Sequence, residues 1–207
     1  DEVIAVDNNA VSGTKEEILK TKAKYFHEPK QGIGAGYKRA LDEATGDLII
    51  TIEVDGTYVA RDVVKLLAYS DDFDMVCGTR TTSIMIGRGA SMGAAVKWAN
   101  WLYAKMIEVL FNTPNLTDVG CLYRLMSKKA YDRIRNVPID SKNSFTVDWM
   151  LYVIRNRISF IEAPVNFKRR VGRSYGAYST YAAAKVALQM LVVIIKHLFN
   201  LKKRNVY

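Results

Sequence analysis

Two short patterns in this 207-residue chain have residue types and spacing that could do chemistry. One is Gly32-Ile33-Gly34-Ala35-Gly36, a glycine-studded segment opening a helix that carries Tyr37, Ala40 and Leu41 and stops at Gly46. The other is Glu53-Val54-Asp55-Gly56, which comes directly after the apolar run 47–52. That run reads as a strand, and strand residues two apart point to the same side, so Glu53 and Asp55 can share one target. Open α/β sheets bind ligands at the carboxyl ends of their strands. Two carboxylates placed there suit a hard divalent cation carrying a substrate diphosphate. The plainer alternative is a turn, because acids often follow strands and Asp55-Gly56 is an ordinary turn signal. The glycine spacing is not the dinucleotide fingerprint, and no acid follows at the ribose-binding distance, which argues against NAD. The combination points to an enzyme using a nucleotide-activated substrate.

The elements that must position these residues alternate in type. Residues 1–7 read as a strand running into a turn, and Thr14-x-x-Glu17 reads as a capping box starting a helix over residues 14–25. The glycine-opened helix (34–44) and the strand 47–52 come next. Residues 61–69 read as a short helix with Val63, Val64, Leu66 and Leu67 on its buried side, and 73–78 as the next strand. This β-α-β-α-β order implies a mainly parallel sheet with right-handed crossovers. Residues 79–93, with Arg80 and Arg88, read as a polar loop. A long helix (91–111), a strand (119–126), helices at 128–135 and 145–155, and a final strand (158–167) complete the pattern. A basic stretch from Lys168 to Tyr175 leads to a helix at 181–204. Lys185, Gln189, Lys196, Asn200 and Lys203 fall on a narrow stripe of that helix, and most of the remaining circumference is apolar. Its apolar run is too short to span a bilayer. Two readings stand: a helix packed on the core or a partner subunit, and an interfacial membrane helix drawn to anionic lipid.

Composition sets limits. Nearly half the residues are hydrophobic (49%), which excludes a disordered chain, and the length suits one α/β core with an appendage. A net charge of +9 implies anionic partners: phosphorylated substrates, a membrane surface or nucleic acid. The basic residues do not alternate with aromatics along one stripe and no nucleic-acid motif is present, so nucleic acid is not expected. Cys77 and Cys121 lie in apolar segments, which favours buried free thiols over a disulfide. His27 and His197 are isolated and read as surface or satisfied histidines rather than ligands. The absence of an initiating methionine leads us to expect residues upstream.

In this order the segments resemble glycosyltransferase family 2, the inverting GT-A enzymes, and within it the polyprenol-phosphate sugar transferases. Residues 6–14 are similar to the family's strand-to-helix turn, where Asp7 would contact the nucleotide base. Gly32, Gly34 and Gly36, followed by Ala40 through Asp47, look like its glycine-rich nucleotide segment. Glu53-Val54-Asp55 stands in place of the Asp-x-Asp metal motif, with Glu53 replacing the usual first Asp and Thr57 a common glutamine. Gly78-Thr79-Arg80, Asp118 through Arg124, Phe145-x-x-Asp148, Ile161 through Val165, and Arg170 through Ser174 resemble later family segments. The family's first strand with its Pro-x-Tyr-Asn-Glu ending is absent, and so is the Gln-x-x-Arg-Trp motif of processive synthases.

The resemblance implies an α/β GT-A (Rossmann-like) fold: a mainly parallel sheet flanked by helices, with a C-terminal amphipathic helix. The expected division is a catalytic domain at 1–175 and a membrane-surface or dimer helix at 176–207. It implies transfer from a UDP- or GDP-hexose to a polyprenyl phosphate at the cytoplasmic face of a membrane. The protein would be peripheral or anchored by segments outside this chain, and a homo-oligomer is among the arrangements the resemblance allows. Asp7, Gly32, Gly34 and Asp55 would bind the nucleotide sugar, and Glu53 and Asp55 would hold Mg2+ or Mn2+. Asp55, Asp148 and Arg80 would be catalytic, and Arg88, Arg170 and Arg173 would bind acceptor phosphate, since the arginine fork pairs with oxyanions. If the acceptor is a hydroxyl, Asp148 is its general base. If it is a lipid phosphate, already ionised near neutral pH, no base is needed and Asp148 is structural. A non-catalytic sugar-nucleotide binding module is the rival reading from another class.

Overall fold

The computed structural model describes residues 1–139, 144–172 and 180–204. Strand β1 (Ile4–Asp7) is followed by α1 (Thr14–Leu19), β2 (Lys24–His27), α2 (Ile33–Glu43) and β3 (Leu48–Thr51). Next come α3 (Val63–Leu67), β4 (Met75–Thr79), α4 (Ala94–Phe111), β5 (Arg124–Ser127) and α5 (Lys128–Ile134). Helix α6 (Phe145–Arg155), β6 (Phe160–Pro164) and α7 (Thr180–Arg204) close the chain. Strands β1 and β2 form a parallel pair. The larger sheet runs β3-β5-β4-β6. Strands β3, β4 and β6 share one direction, and β5 alone is antiparallel, inserted between β3 and β4. Three parallel strands therefore aim their carboxyl ends at one edge.

Several local expectations shift. The helix expected over 14–25 stops at Leu19, where the Thr21 amide and hydroxyl both donate to the Ile18 carbonyl, and the chain turns into β2. That strand was hidden by its length; only Tyr25-Phe26 carries a β-forming signal. The capping box does not form: Gly13 is the N-cap, and the Thr14 hydroxyl donates to the Val11 carbonyl instead. On α3 only Leu66 is buried, while Val64 and Leu67 face outward. The strand expected over 119–126 is regular only from Arg124, because the Arg124 side chain donates to the Cys121 and Val119 carbonyls and keeps that segment looped.

The core has two parts. The larger joins α4, α5 and α6 to one sheet face around Leu41, Ile107, Tyr131, Phe145 and Trp149, and Ile194 of α7 is buried in it. The smaller surrounds Tyr58, Leu66, Tyr123, Leu125 and Phe167. Burial of each such side chain contributes roughly 1.5–3 kcal/mol. Cys77 and Cys121 are buried free thiols, as expected. Helix α7 lays a second stripe, Leu188, Val192, Ile195 and Phe199, against solvent.

Gly78 shows how tightly β4 is held. A Cβ there would stand 2.8 Å from the Tyr123 carbonyl oxygen and 3.0 Å from the Cys121 sulfur. Backbone cannot yield as a side chain does, so Gly78→Ala is expected to cost about 1–3 kcal/mol, read as a lowered denaturant midpoint at unchanged m-value. An unchanged midpoint would show that β4 and β5 can separate freely.

Candidate active site

The site is assembled from the segments that leave the ends of β3, β4 and β6. After β3 the chain turns at Gly56, whose φ of +77° lies in the left-handed region that favours glycine. The Thr57 amide donates to Asp55 Oδ1 at 3.0 Å, and so does the Thr57 hydroxyl, orienting the carboxylate. The segment after β6 lies alongside: the Lys168 amide donates to the Thr57 carbonyl at 2.7 Å and the Val171 amide to that of Asp55 at 2.8 Å. Phe167 also bridges Tyr58 on one side and Ile86 on the other. This three-way pairing lands Arg170 on the two acids. Its Nη1 lies 2.7 Å from Asp55 Oδ2, a close ion pair whose alignment falls short of a hydrogen bond, and its Nη2 is 3.8 Å from Glu53 Oε1. Glu53, Asp55 and Arg170 line a cleft of about 430 Å³ with Val6, Ile33, Tyr37 and Ile52.

Burial pushes the Glu53 carboxyl above its usual range, the neighbouring Asp55 charge adds to this, and Arg170 and Arg80 oppose it. Two acids crowded at a strand end, one with a buried oxygen lacking an aligned donor among the described residues, form a donor set that fits a divalent cation. Among the described residues no group of three or more His, Cys, Asp or Glu could surround such an ion. A cation held by Glu53 and Asp55 would complete its shell from substrate phosphate and water. Arg170, expected on the acceptor side, here supplies positive charge to this pair.

The other cleft wall is built from β1 and α2. Asp7 ends β1 beside the cleft-lining Val6; its carboxylate accepts from the Ala10 amide at 2.8 Å and the Tyr25 hydroxyl at 3.2 Å. Asn8, which sequence reasoning passed over, ties the two walls together. Its Oδ1 accepts from the Gly32 amide at 2.8 Å, while its Nδ2 donates to the Glu28 and Lys30 carbonyls. Gly32 has φ +142°, outside the reach of most side chains, and Gly34 is buried in the first turn of α2. Tyr37, one turn further on, is the second omission. Its hydroxyl is buried and has no hydrogen-bond partner among the described residues, and burial together with the Glu53 charge raises its pKa well above the ordinary value.

Arg80, expected to be catalytic, is placed beyond β4 but turned inward. Its Nε donates to Asp118 Oδ2 at 2.7 Å and its Nη2 to Asp118 Oδ1 at 2.9 Å, and its own amide donates to the same carboxylate. Only 12% of its side chain is exposed, and its guanidinium stacks 5.1 Å from the Phe167 ring centroid. With that many partners the guanidinium ties the loop above β4 to Asp118. Glu162 extends the network by accepting from the Thr117 amide, the Thr117 hydroxyl and the Asp118 amide. Arg88 differs: it is exposed and has no partner among the described residues, and the Gly87 amide beside it donates to the Phe167 carbonyl. Arg173 lies outside the described residues.

Asp148, on the first turn of α6, is buried and faces α7. His197 Nε2 donates to its Oδ1 at 2.7 Å, and Arg155 Nη1 donates to His197 Nδ1 at 3.2 Å. Because arginine can only donate, this chain fixes the Nε2–H tautomer of the histidine. His197 is thus the satisfied histidine expected from its isolation, and it clasps α7 to α6. His197→Ala leaves a buried carboxylate short of a donor and is expected to destabilise by about 2–3 kcal/mol. The check is thermal unfolding, with His197→Gln recovering part of the loss; a neutral result for both would show that the clasp adds nothing to docking of α7.

Residues 1–135 match Glycosyl transferase family 2. An undecaprenyl-phosphate mannosyltransferase of Micrococcus luteus is 27% identical over 156 residues, 70% of this chain and 60% of that relative. A polyprenol monophosphomannose synthase of Mycolicibacterium smegmatis is 24% identical over 210 residues, 89% of this chain and 74% of that relative. The chain thus spans well short of the full length of these relatives. Among solved structures, the glucosyl-3-phosphoglycerate synthase of Mycobacterium tuberculosis, crystallised with Mn2+, UDP and glucosyl-3-phosphoglycerate, superimposes with a TM-score of 0.70 at 12% identity. That match covers 96% of this chain and 69% of the synthase. A GT-A fold over nearly the whole chain joins the sequence match over its first two thirds, and the chain belongs to glycosyltransferase family 2.

Proposed function

We propose that this chain transfers a hexose, with inversion, from a UDP- or GDP-sugar to a polyprenyl phosphate at a membrane surface. The observation that carries the reading is the engagement of Asp148 by His197: a hydroxyl acceptor needs a base, and the residue in the family's base position is buried and turned to another helix. A phosphate monoester, ionised near neutral pH, needs none. Both relatives above are, by their names, transferases of mannose to polyprenyl phosphate, and both reinforce the choice.

The chemistry follows from charge. A phosphate oxygen of the acceptor forms a bond to the anomeric carbon while the bond from that carbon to the diphosphate oxygen breaks, its electron pair leaving with the diphosphate. Bound between Glu53 and Asp55, Mg2+ or Mn2+ would neutralise charge on that diphosphate. Asp7 and the Gly32–Gly34 turn, held by Asn8, orient the nucleoside. Tyr37 offers an unpartnered O–H donor in the cleft, and Arg170 and Arg88 supply positive charge where diphosphate and acceptor phosphate meet. Domain-wise, residues 1–175 do this work and the helix after them serves the surface.

The test offers radiolabelled GDP-mannose and UDP-glucose, with Mn2+, to polyprenyl phosphate and to the corresponding polyprenol, and follows label into the organic phase. Label on the phosphate alone supports the reading. Label on the polyprenol would replace it with hydroxyl transfer, and nucleotide binding with neither product would replace it with a binding module.

A further inference from the structure

A second cleft opens at the other end of the sheet from Glu53 and Asp55. It holds about 780 Å³ and lies where α4 and α6 end and β6 begins. Strand β6 spans roughly 13 Å between this cleft, at Phe160, and the end from which the Arg170 segment departs. Phe111, Pro114 and Phe160 give the cleft apolar walls. Its charged lining residues are two arginines, Arg155 and Arg157, and among the described residues no Asp or Glu lines it. Two acids stand near the rim, and both are already engaged. Glu108 accepts from Lys105 and from the Leu116 amide, and Asp74 accepts from the Ser127 and Ser159 hydroxyls.

Both arginines are held there at a cost. Arg155 donates through Nη1 to His197 Nδ1, while its Nε is buried with no hydrogen-bond partner among the described residues. A guanidinium carries five N–H donors and a permanent charge, and desolvating it without an adjacent anion is unfavourable. Asp148 stands on the far side of the histidine ring and does not touch it. Arg157 is exposed, its side chain has no partner among the described residues, and its φ is +53°, in the left-handed region. The turn after α4 meets the same need with Asn112 at φ +49°, a residue type suited to it. Arginine at such a position is strained. An arginine at a helix end ordinarily donates to the last carbonyls, but here that is done by Arg133, whose Nη2 donates to the Asn156 carbonyl.

We infer that this cleft is a second binding site, remote from the acid pair, for a small organic oxyanion. A phosphate or carboxylate head sits between Arg155 and Arg157, and an apolar body lies against Phe111, Pro114 and Phe160. Arg155 also holds His197, so the occupant adjoins the clasp between α6 and α7. The inference does not depend on the transferase reading. Hexyl phosphate, hexanoate, inorganic phosphate and hexanol, each titrated into 15N-labelled protein and followed by amide shifts, provide the test. The two organic anions should move the amides of Asn112, Thr113, Arg157 and Ser159. They should bind at least about 10-fold more tightly than inorganic phosphate or hexanol, each of which offers half of the chemistry. Arg157→Asn should weaken their binding about 10-fold or more and leave Tm unchanged or higher, because asparagine suits the left-handed turn. Arg157→Lys, which keeps the charge, should lose less. Hexanol binding as tightly as the anions would reduce the cleft to an apolar surface. Shifts confined to residues around Asp55 and Arg170 would assign the anions to the acid-lined cleft instead. Either result, full binding by Arg157→Asn, or no binding of either organic anion would overturn the inference.

Discussion

Asp55→Ala is expected to abolish sugar transfer, with a loss of about 10³-fold or more in turnover, the scale of removing a charge-stabilising group from a leaving-group site. Asp55 is the acid on which the site converges: one oxygen is oriented by Thr57 and the other faces Arg170. Its removal would take away a carboxylate proposed to hold the diphosphate cation and free Arg170 at the same time. Stability should fall little, by about 1 kcal/mol, because the lost hydrogen bonds lie in a half-buried turn. Calorimetric titration of UDP and GDP, each with and without Mn2+, distinguishes binding from turnover. The wild type should need the metal for tight binding, and the variant should not respond to it. Transfer retained within a few-fold in Asp55→Ala would remove the acids from the mechanism. Glu53→Gln should be milder, about 10- to 100-fold, the cost typical of a supporting group at a metal site.

Asp118→Ala should have the largest effect on stability, about 3–5 kcal/mol, since it leaves the Arg80 guanidinium buried without its carboxylate. In a chain of this size that corresponds to a fall in Tm on the order of 10 °C. Burial alone would push the Asp118 carboxyl up; the Arg80 charge and hydrogen bonds outweigh it and hold the carboxyl below the usual range. The unfolded chain therefore takes up this proton at higher pH than the folded one. Stability from the pair is fully present above the ordinary carboxylate range and is lost as pH falls toward the lowered folded value. Urea unfolding of the wild type and of Asp118→Asn from neutral pH into the acid range checks this, because the variant should lose that part of the pH slope. The double variant Arg80→Met/Asp118→Leu should recover most of the stability. Transfer by that double variant close to wild type would confine Arg80 to positioning the loop; transfer lost despite a recovered fold would return it to the chemistry.

The sequence made a good part of this legible. Alternating apolar periods gave the helix–strand order, with α6 placed at its observed bounds and β3, β4 and α2 within two residues. Glu53 and Asp55 were readable because a strand's period of two puts them on one side. The glycine run was readable because positive φ at Gly32 leaves little choice of residue. The features that escaped have their cause elsewhere in the chain. Strand β2 carries too few residues to show a period, and forms because β1 offers it a parallel partner. Strand β5 runs opposite to its neighbours through a pairing that no local signal announces.

The site divides in the same way. Residue types and spacing pointed by themselves to an acidic pair at the carboxyl end of a strand, after a glycine-opened helix. The basic loops around it came from the family resemblance, and of those arginines Arg170 lines the cleft. Only the tertiary structure decided which arginine met which acid. Arg80 went to Asp118, 38 residues away, Arg170 went to Glu53 and Asp55, and Asp148 went to His197, 49 residues away. The reason is physical. Helices and strands arise from side-chain periods and backbone preferences read over a few residues. The partner of a buried charge is chosen by desolvation, which makes each ion accept whichever opposite charge the packed elements carry to it.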